Sequence, residues 1–555
     1  MSSSDQAVRR LHHGPPPRDV SRFDIGPLGG IPISEITLQQ LQYHLSSGHF
    51  TSAQYTEFCL KDIHELNPYI EAVIEVNPEA VAFAHRLDRE RSAGIVRGPL
   101  HGIPILVKDN MATKDQMQTT AGSWALLGSV VPKDAFVVSK LRQAGAIILG
   151  HANMSEWASL RSTEESTGFS PRGGQVRNPY DLRKSPAGSS SGSAAAVAAN
   201  LVPIALGTET DTSIIGPAAI NGIVGIKPTV GLTSRSGVIP ISRNMDSVGP
   251  FGRTVTDAVF VLDAIVREDN EDPFTTVQER KADVPYSRYI STSSALKGAR
   301  FGLPMKRCWD MVPPSCKSVA TKVLDAIKRA GAEIIEVDLP SIEERVNENG
   351  TWDWQHGDPP HSEWTVVKVD SYNDINSYLS KLVESPIRSV EDIIKYNIDN
   401  AGTEGGLPRT IPAFPDGQTN LEDIAASKGA EDDTYKSALA HIHKQTRENG
   451  LDSALGLHDS QSAPLDALIF CDRLGIGQQY AAQAGYPIIC IPIGIDRHGI
   501  PVSLSLQQTA WKEAELVKWA SAIEDLWNEE NGWRATPTFR NLHAKNIPIE
   551  SVVND

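Results

Sequence analysis

Residues 185–199 read Ser-Pro-Ala-Gly-Ser-Ser-Ser-Gly-Ser-Ala-Ala-Ala-Val-Ala-Ala, a run of small side chains that leads from a loop into a helix. Small residues let two backbones approach closely and allow unusual dihedral angles. A Gly/Ser loop that opens a helix also presents free N–H groups to negative charge. Serine hydroxyls serve as nucleophiles and proton relays. Together with a second hydroxyl-rich loop and an upstream lysine, such a stretch would supply the parts of an acyl-transfer site.

Two more patches accompany this stretch. Residues 102–110 read Gly-Ile-Pro-Ile-Leu-Val-Lys-Asp-Asn, and residues 207–214 read Gly-Thr-Glu-Thr-Asp-Thr-Ser-Ile, with Gly-Ile-Lys-Pro-Thr following at 225–229. The patches, their order and the spacing of Ser189 from Ser213 resemble the amidase signature family. The likeness covers nearly the whole chain.

The resemblance implies an α/β fold in which a large mixed β-sheet is covered by helices on both faces. Length alone, 555 residues, would suggest several domains. We expect instead a mobile N-terminal arm over residues 1–30 and one domain over 31–540. Its catalytic core would occupy about 100–255 and a peripheral insertion about 340–463, followed by a C-terminal tail at 541–555.

The local pattern agrees with an α/β fold. A helix over 134–144 ends at Gly145 and precedes a strand at 146–149, and the same order recurs around Gly331. Thr37 and Thr51 each precede a glutamine by three positions, which predicts a capping box. Further strands are predicted at 103–107, 465–471, 488–495 and 502–506, and a covering helix at 511–527.

The insertion is rich in tryptophan, with Trp352, Trp354 and Trp364. Family members often use the equivalent variable region to wall the substrate entrance. The alternative is a surface helical pair with its own small apolar cluster.

Composition excludes several classes of protein. A hydrophobic content of 40% and a charged content of 22% are typical of a soluble globular chain. The net charge of −16 argues against nucleic acids and anionic membranes as partners. No apolar run is long enough for a transmembrane helix. Five cysteines without a CxxC pair, and an N-terminus without the apolar core of a signal peptide, predict a cytoplasmic protein.

The resemblance assigns Ser213 as the nucleophile, Ser189 as a relay and Lys108 as the base, with a cis peptide bond between Gly188 and Ser189. A serine hydroxyl needs a neighbouring base, and the matched patches contain no histidine. Lys108 must then be neutral near pH 7, a pKa shift of roughly 3 units, or about 4 to 5 kcal/mol. Burial supplies shifts of this size, and the five preceding residues are apolar. Asp109 should point away, because side chains alternate along a strand.

The oxyanion hole is expected from the backbone N–H groups of Thr210, Asp211, Thr212 and Ser213. Many family members have glycine in place of Thr212. A β-branched residue tolerates a positive φ poorly, so Thr212 either adopts ordinary dihedral angles or narrows the acyl pocket. Many members also carry an arginine near Ile215 that would suit a carboxylate-bearing substrate, and its absence points away from glutamine.

Three functions follow from these residues. The first is an amidase of the cytosolic fungal or peptide-amidase branch, which hydrolyses small-molecule or peptide amides, such as those of specialised metabolism, through an acyl-enzyme. It needs no cofactor or metal, and a homodimer is the default assembly. The second is an amidotransferase component similar to the amide-hydrolysing subunit of glutamyl-tRNA(Gln) amidotransferase, which depends on a partner. The third is an impaired binding protein on the same fold, supported by Thr212.

Overall fold

The computed structural model describes residues 25–280, 284–348, 358–459, 463–471, 473, 475–532 and 534–552. Most of the expected N-terminal arm, residues 1–24, lies outside the described residues, as do Trp352 and Trp354. The division into arm, core, insertion and tail stays a prediction.

An 11-stranded sheet runs through the molecule in the order β1-β3-β2-β6-β8-β7-β12-β13-β11-β9-β10. A separate pair, β4 and β5, forms a small hairpin-like sheet. The large sheet is mixed, because β2 pairs in parallel with β3 and β6 while β12 pairs antiparallel with β7 and β13. The strands are β1 Val73–Val76, β2 Pro104–Lys108, β3 Ile147–Ala152, β4 Phe169–Ser170, β5 Gly174–Gln175, β6 Ile204–Glu209, β7 Val224–Lys227, β8 Ser247–Gly252, β9 Arg300–Pro304, β10 Glu333–Val337, β11 Ala467–Cys471, β12 Ile488–Ile495 and β13 Pro501–Gln507.

The α-helices are distributed along the whole described chain. They are α1 Leu38–Ser46, α2 Ser52–Ile70, α3 Ala80–Ser92, α4 Phe136–Gln143, α5 Ser191–Ala198, α6 Ile215–Asn221, α7 Val255–Ile265, α8 Pro314–Arg329, α9 Ile342–Arg345, α10 Glu363–Ser380, α11 Val390–Asp399, α12 Ala401–Glu404, α13 Thr419–Ser427, α14 Asp433–Thr446, α15 Asp452–Ala454, α16 Ile476–Ala484 and α17 Glu513–Asn531. Within the described residues, no helix combines the length and apolarity that a membrane span requires.

The alternation of side chains along β12 shows that the sheet is covered on both faces. Ile488 and Cys490 belong to one hydrophobic cluster, whereas Ile489 and Ile491 belong to another. Successive strand residues point to opposite faces, so each cluster fills the space between the sheet and one layer of helices. Helices α7, α8 and α17 contribute to the second cluster, and α4, α5, α10 and α16 to the first. The predicted fold class is confirmed.

Most predicted elements lie where the sequence places them. Thr37 and Thr51 both form capping boxes, at the starts of α1 and α2. Helix α4 is two residues shorter at its start than predicted, and α17 extends four residues beyond its predicted end. Strands β2, β3, β10, β11, β12 and β13 correspond to the predicted ones within a few residues.

The helices of the 340–463 segment pack on the core rather than on one another alone. Buried residues of α10, such as Val366 and Ile375, share one hydrophobic cluster with Ile105 of β2. Asp370 of α10 accepts a hydrogen bond from Ser242 at 2.5 Å and one from Tyr435 at 2.7 Å. The segment therefore adjoins the loop that follows β7.

Candidate active site

The three expected catalytic side chains lie where neighbouring strands end. Lys108 is the last residue of β2, and Ser213 follows the end of β6 by four residues. Because β2 and β6 are parallel neighbours, their carboxyl ends meet at one edge of the sheet. Ser189 lies in the loop that opens α5, which packs on β2 and β6.

A continuous chain of polar contacts joins these side chains. Lys108 Nζ lies 2.7 Å from Ser189 Oγ, and Ser189 Oγ lies 3.0 Å from Ser213 Oγ. All three residues are buried. The peptide bond between Gly188 and Ser189 is cis, as the resemblance implied. In this conformation the Ser189 N–H donates a hydrogen bond of 2.9 Å to Ser213 Oγ.

Lys108 has two further contacts, both with Thr208. Nζ lies 2.8 Å from Thr208 Oγ1 and 3.2 Å from the Thr208 carbonyl oxygen. Burial lowers the pKa of Lys108 to about 7, although the Asp246 and Glu209 carboxylates raise it in part. This is the value that a base near neutral pH needs. The Asp109 side chain points away from Lys108, as expected, and its Oδ1 lies 2.8 Å from His151 Nδ1.

Glu209 holds the segment that carries Ser213. Its Oε2 accepts the N–H groups of Ile214 at 2.5 Å and Ile215 at 2.8 Å, where α6 begins. Burial raises the pKa of Glu209, and the nearby Lys227 and Lys108 oppose that rise. A carboxylate at a helix start satisfies N–H groups that the helix itself leaves unbonded.

The backbone before Ser213 has the property expected of an oxyanion hole. Within the described chain, the N–H groups of Thr210, Asp211, Thr212 and Ser213 donate no hydrogen bond to another protein group. Free N–H groups beside the expected nucleophile would suit the negative charge of a tetrahedral intermediate.

Thr212 adopts a left-handed conformation, with φ at +59°. The first sequence-based alternative, ordinary dihedral angles, is therefore wrong. The backbone here follows the path that glycine takes easily, and the threonine side chain lies on the cavity wall. A left-handed residue that is not glycine costs roughly 1 to 2 kcal/mol.

Ser213 opens onto a cavity of about 390 Å³. The lining residues come from the loop before β4, the loops that carry the two serines, helix α6, the loop between β7 and β8, the segment around the start of α16 and the C-terminal segment. They are Ala158, Ser159, Glu165, Thr167, Ser185, Ala187, Gly188, Thr210, Asp211, Thr212, Ser213, Gly216, Ile220, Ile241, Arg473, Gly475, Gln478, Gln479 and Val552.

Two carboxyl groups on this cavity have strongly altered acidity. Burial, with the Glu363 and Glu209 carboxylates, raises the pKa of Asp211 well above its ordinary value. Burial also raises the pKa of Glu165 to about 7, against hydrogen bonds from Ser159 and Ser155. Burial thus favours the neutral form of Asp211, and at neutral pH Glu165 is divided between its charged and neutral forms.

Sequence reasoning missed several of these groups. Thr208 lies inside the patch at 207–214, but nothing in the pattern connects it to Lys108. Asp246 and Glu165 are distant from the serines in sequence, and only folding brings them close. Among the described residues, no cluster of three or more His, Cys, Asp or Glu side chains is arranged to hold a metal ion.

Comparisons with known proteins show the family to which the chain is similar. A family model described as Amidase matches residues 54–382. A Schizosaccharomyces pombe protein named "Putative amidase" is 45% identical over 94% of this chain and 89% of its own length. A glutamyl-tRNA(Gln) amidotransferase subunit from Heliobacterium modesticaldum is 34% identical over 83% of this chain and 90% of its own length.

A solved structure adds the fold to this agreement. Native peptide amidase from Stenotrophomonas maltophilia is 38% identical and superposes with a TM-score of 0.81, covering 92% of this chain and 99% of that one. The family model spans more than half of the chain, and the Schizosaccharomyces pombe relative aligns with nearly all of it. The chain therefore belongs to the amidase family, whose members hydrolyse amide bonds.

Proposed function

We propose that this chain hydrolyses a carboxylic amide to the acid plus ammonia or an amine, with Ser213 as nucleophile, Ser189 as relay and Lys108 as base. The observation that carries the proposal is the contact chain of 2.7 Å and 3.0 Å from Lys108 through Ser189 to Ser213. Both distances lie within the range over which protons transfer between hydrogen-bonded groups.

The contacts of Lys108 suit its neutral form. A neutral amine has two N–H donors and one lone pair. The two oxygens of Thr208 can accept the two N–H groups, which leaves the lone pair directed at Ser189 Oγ. Asn110 donates to the same Thr208 hydroxyl at 3.0 Å and fixes its position. Thr208 is thus a positioning residue that aims the base.

The attack step transfers two protons. Ser213 Oγ forms a bond to the amide carbon and passes its proton to Ser189 Oγ, while Ser189 passes its own proton to the Lys108 lone pair. The Ser189 N–H donates to Ser213 Oγ at 2.9 Å and stabilises the negative charge that develops there. The hydroxyl hydrogens rotate, so the donor and acceptor roles reverse when Lys108 is charged.

The oxygen of the tetrahedral intermediate would accept N–H groups from residues 210–213. Donors of this kind are worth roughly 3 to 4 kcal/mol each. When the C–N bond breaks, Lys108 returns a proton through Ser189 to the leaving nitrogen, and an ester on Ser213 remains. Water then attacks this acyl-enzyme by the same proton path and releases the acid.

The finer features of the proposal rest on sequence. We take the substrate to be a small-molecule or peptide amide without a carboxylate on its acyl part, because Ile215 stands where many members carry arginine. The cysteine pattern supports a cytoplasmic location. We also propose that the protein forms a homodimer and acts in specialised metabolism. No observation favours a partner-dependent amidotransferase over a hydrolase that acts alone.

Ammonia release tests the proposal directly. The purified chain, without any partner, is incubated with a panel of primary amides, and ammonia and acid are both measured. We expect equal amounts of the two products from wild type and neither from Ser213→Ala. Turnover that persists in the variant would exclude Ser213 as the nucleophile.

A further inference from the structure

Glu165 is an acidic group on the cavity wall that the proposed mechanism does not use. It lies on the side formed by Ala158, Ser159 and Thr167, and it shares the cavity with Ser213. The wall here turns sharply, because Trp157, Ala158 and Ser159 have positive φ values of 50°, 56° and 75°. The turn and the carboxyl group thus form one surface of the substrate cavity.

The Glu165 carboxyl group is linked to the catalytic loop through Ser155. The Ser155 hydroxyl bonds to the carboxyl group, and the Ser155 N–H donates to the Ser189 carbonyl oxygen at 3.2 Å. Ser155 Oγ lies 2.9 Å from the position that a Cβ on Gly188 would occupy. The acid is therefore one side chain away from the peptide bond that orients Ser189.

One oxygen of this carboxyl group is left for a ligand. Glu165 Oε2 is buried and has no hydrogen-bond partner among the described residues. Arg161 lies nearby, but its guanidinium group pairs with other acids: Nη1 bonds to Glu156 and lies 3.5 Å from Glu404 Oε2. The same group stacks on the Phe414 ring, 4.2 Å from the ring centroid. Within the described part of the chain, Glu165 therefore has no cation of its own, and a buried carboxylate without a counter-charge is unfavourable.

Beyond the backbone N–H groups of residues 210–213, the described lining of the cavity has little to attract an anionic acyl group. Among the described residues that line it, Arg473 is the one cation. Its Nη2 lies 3.0 Å from Asp496 Oδ2, and its Nη1 donates to the Val552 carbonyl oxygen at 3.1 Å. Burial raises the pKa of the other acid on the wall, Asp211, and so favours its neutral form. The cavity as a whole thus favours positive charge.

We propose that Glu165 binds a cationic amine on the acyl part of the substrate, so that this enzyme prefers amides that carry an ammonium group. This inference rests on the proposed function, because it assigns the substrate of the same site. The substrate ammonium would supply the counter-charge that Glu165 lacks and would donate to Oε2. A carboxylate-bearing amide would meet the same acid and be rejected.

Matched pairs of amides test this inference. In each pair an ammonium group replaces a methyl group of similar size: glycinamide and propanamide, 3-aminopropanamide and butanamide, 4-aminobutanamide and pentanamide. The readout is the ratio of kcat/KM for the amine over its methyl partner. We expect wild type to favour the amine by about ten- to a hundred-fold for at least one chain length, which is the usual effect of a charge-assisted hydrogen bond.

Variants then assign the preference to Glu165. Glu165→Gln keeps the shape but removes the charge, and it should reduce the ratio about ten-fold or more. Glu165→Asp keeps the charge and should retain part of the preference. This variant keeps the test valid if Glu165→Gln fails to fold. Glu164→Gln, at the exposed neighbouring acid, should leave the ratio at its wild-type value. A wild-type ratio near one for every pair, or a ratio that Glu165→Gln does not change, would overturn the inference.

The dependence of the ratio on pH gives a second test. Glu165 gains its charge as pH rises through about 7, so the ratio should rise over that range for 3-aminopropanamide and 4-aminobutanamide. Glycinamide is left out of this test, because an α-amine loses its own charge at about pH 8. The titration of Lys108 affects both members of a pair and cancels. The groups that face Glu165 are Glu156 and Arg161 behind it, and Asp211 and Arg473 across the cavity. A step that belongs to one of these groups would persist in Glu165→Gln, whereas the step of Glu165 would be lost in that variant.

Failure of this inference is distinguishable from failure of the proposed function. If wild type hydrolyses the methyl amides without preferring amines, the function stands and the role of Glu165 is wrong. If no pair is hydrolysed, protection of Ser213 from a serine-reactive fluorophosphonate reports binding, and equal protection by amine and methyl partners counts against Glu165. If Ser213 is not labelled at all, the proposed function fails and this inference fails with it.

Discussion

The amine nitrogen of Lys108 lies 2.7 Å from the hydroxyl oxygen of Ser189. This contact is buried, and the lysine occupies it with a pKa lowered to about 7 by burial. A lysine with its ordinary pKa would be a permanent donor there and could not accept a proton at neutral pH. Burial therefore gives Lys108 the pKa that the proposed relay requires.

The pH dependence of catalysis follows from this contact. The base form of Lys108 is neutral, so its population grows as pH rises. We predict that kcat/KM for an uncharged amide such as pentanamide rises with pH through about 7 and then levels. Lys108→Met should abolish turnover at every pH, whereas Lys114→Met, at an exposed lysine, should keep the profile. A profile that falls through pH 7 would contradict the assignment.

The charge of Asp246 should set the pH at which kcat/KM rises, that is, the position of the rising limb of the profile. Its charge raises the pKa of Lys108 against burial, and it is held by Thr210 Oγ1 at 2.6 Å and the Ile241 N–H at 2.8 Å. Asp246→Asn removes the charge, so the pKa of Lys108 should fall and the limb should move to lower pH by up to about one unit. Asp338→Asn, at an exposed site, serves as the control. A limb that moves upward would show that Asp246 acts otherwise.

The proposed relay role of Ser189 is separable by experiment from the structural roles of nearby serines. Ser189→Ala removes the proton path and should lower kcat by about 10²- to 10⁴-fold with little change in KM. Ser193→Ala is a matched control, because the Ser193 hydroxyl is buried and donates to the Leu206 carbonyl oxygen at 2.9 Å, away from the relay. Steady-state kinetics on both variants decide the matter. Equal losses in the two would reduce Ser189 to a packing role.

The left-handed conformation of Thr212 should lower the free energy of unfolding of the protein. Its φ of +59° suits glycine, so Thr212→Gly relieves strain while it adds flexibility to the unfolded chain. We expect a net gain of about 0.5 to 1 kcal/mol in the free energy of unfolding, measured by urea denaturation. Thr212→Ala keeps the unfavourable φ and should show no such gain. A destabilised glycine variant would mean that the threonine side chain makes contacts worth more than the strain.

The fold, and the proximity of Lys108, Ser189 and Ser213, could be predicted from sequence because the residues involved lie in short local patches. The serine loops and the strand before Lys108 are short, contiguous patches, and helix caps such as that of Thr37 depend on residues three positions apart. Because such patches align position by position with those of family members, each expected role can be assigned to one residue of this sequence.

The remaining features of the site arise from contacts between segments that are far apart in sequence. Thr208 contacts Lys108 across 100 positions, and Arg473 and Val552 reach the cavity from the C-terminal part of the chain. The acidity of Glu165 depends on burial that no local pattern reports. Thr212 has a positive φ that threonine rarely adopts, because the loop between β6 and α6 determines the backbone path there.

Labelling by a fluorophosphonate tests the central claim most directly, because the reagent reacts only with an activated serine and needs no knowledge of the substrate. Intact mass is recorded for wild type, Ser213→Ala and Lys108→Ala after treatment. The account predicts one adduct on wild type, located at Ser213 by peptide mapping, and none on either variant. An adduct that persists in Ser213→Ala, or a wild type that remains unlabelled, would contradict a Ser213 nucleophile activated through Ser189 by Lys108.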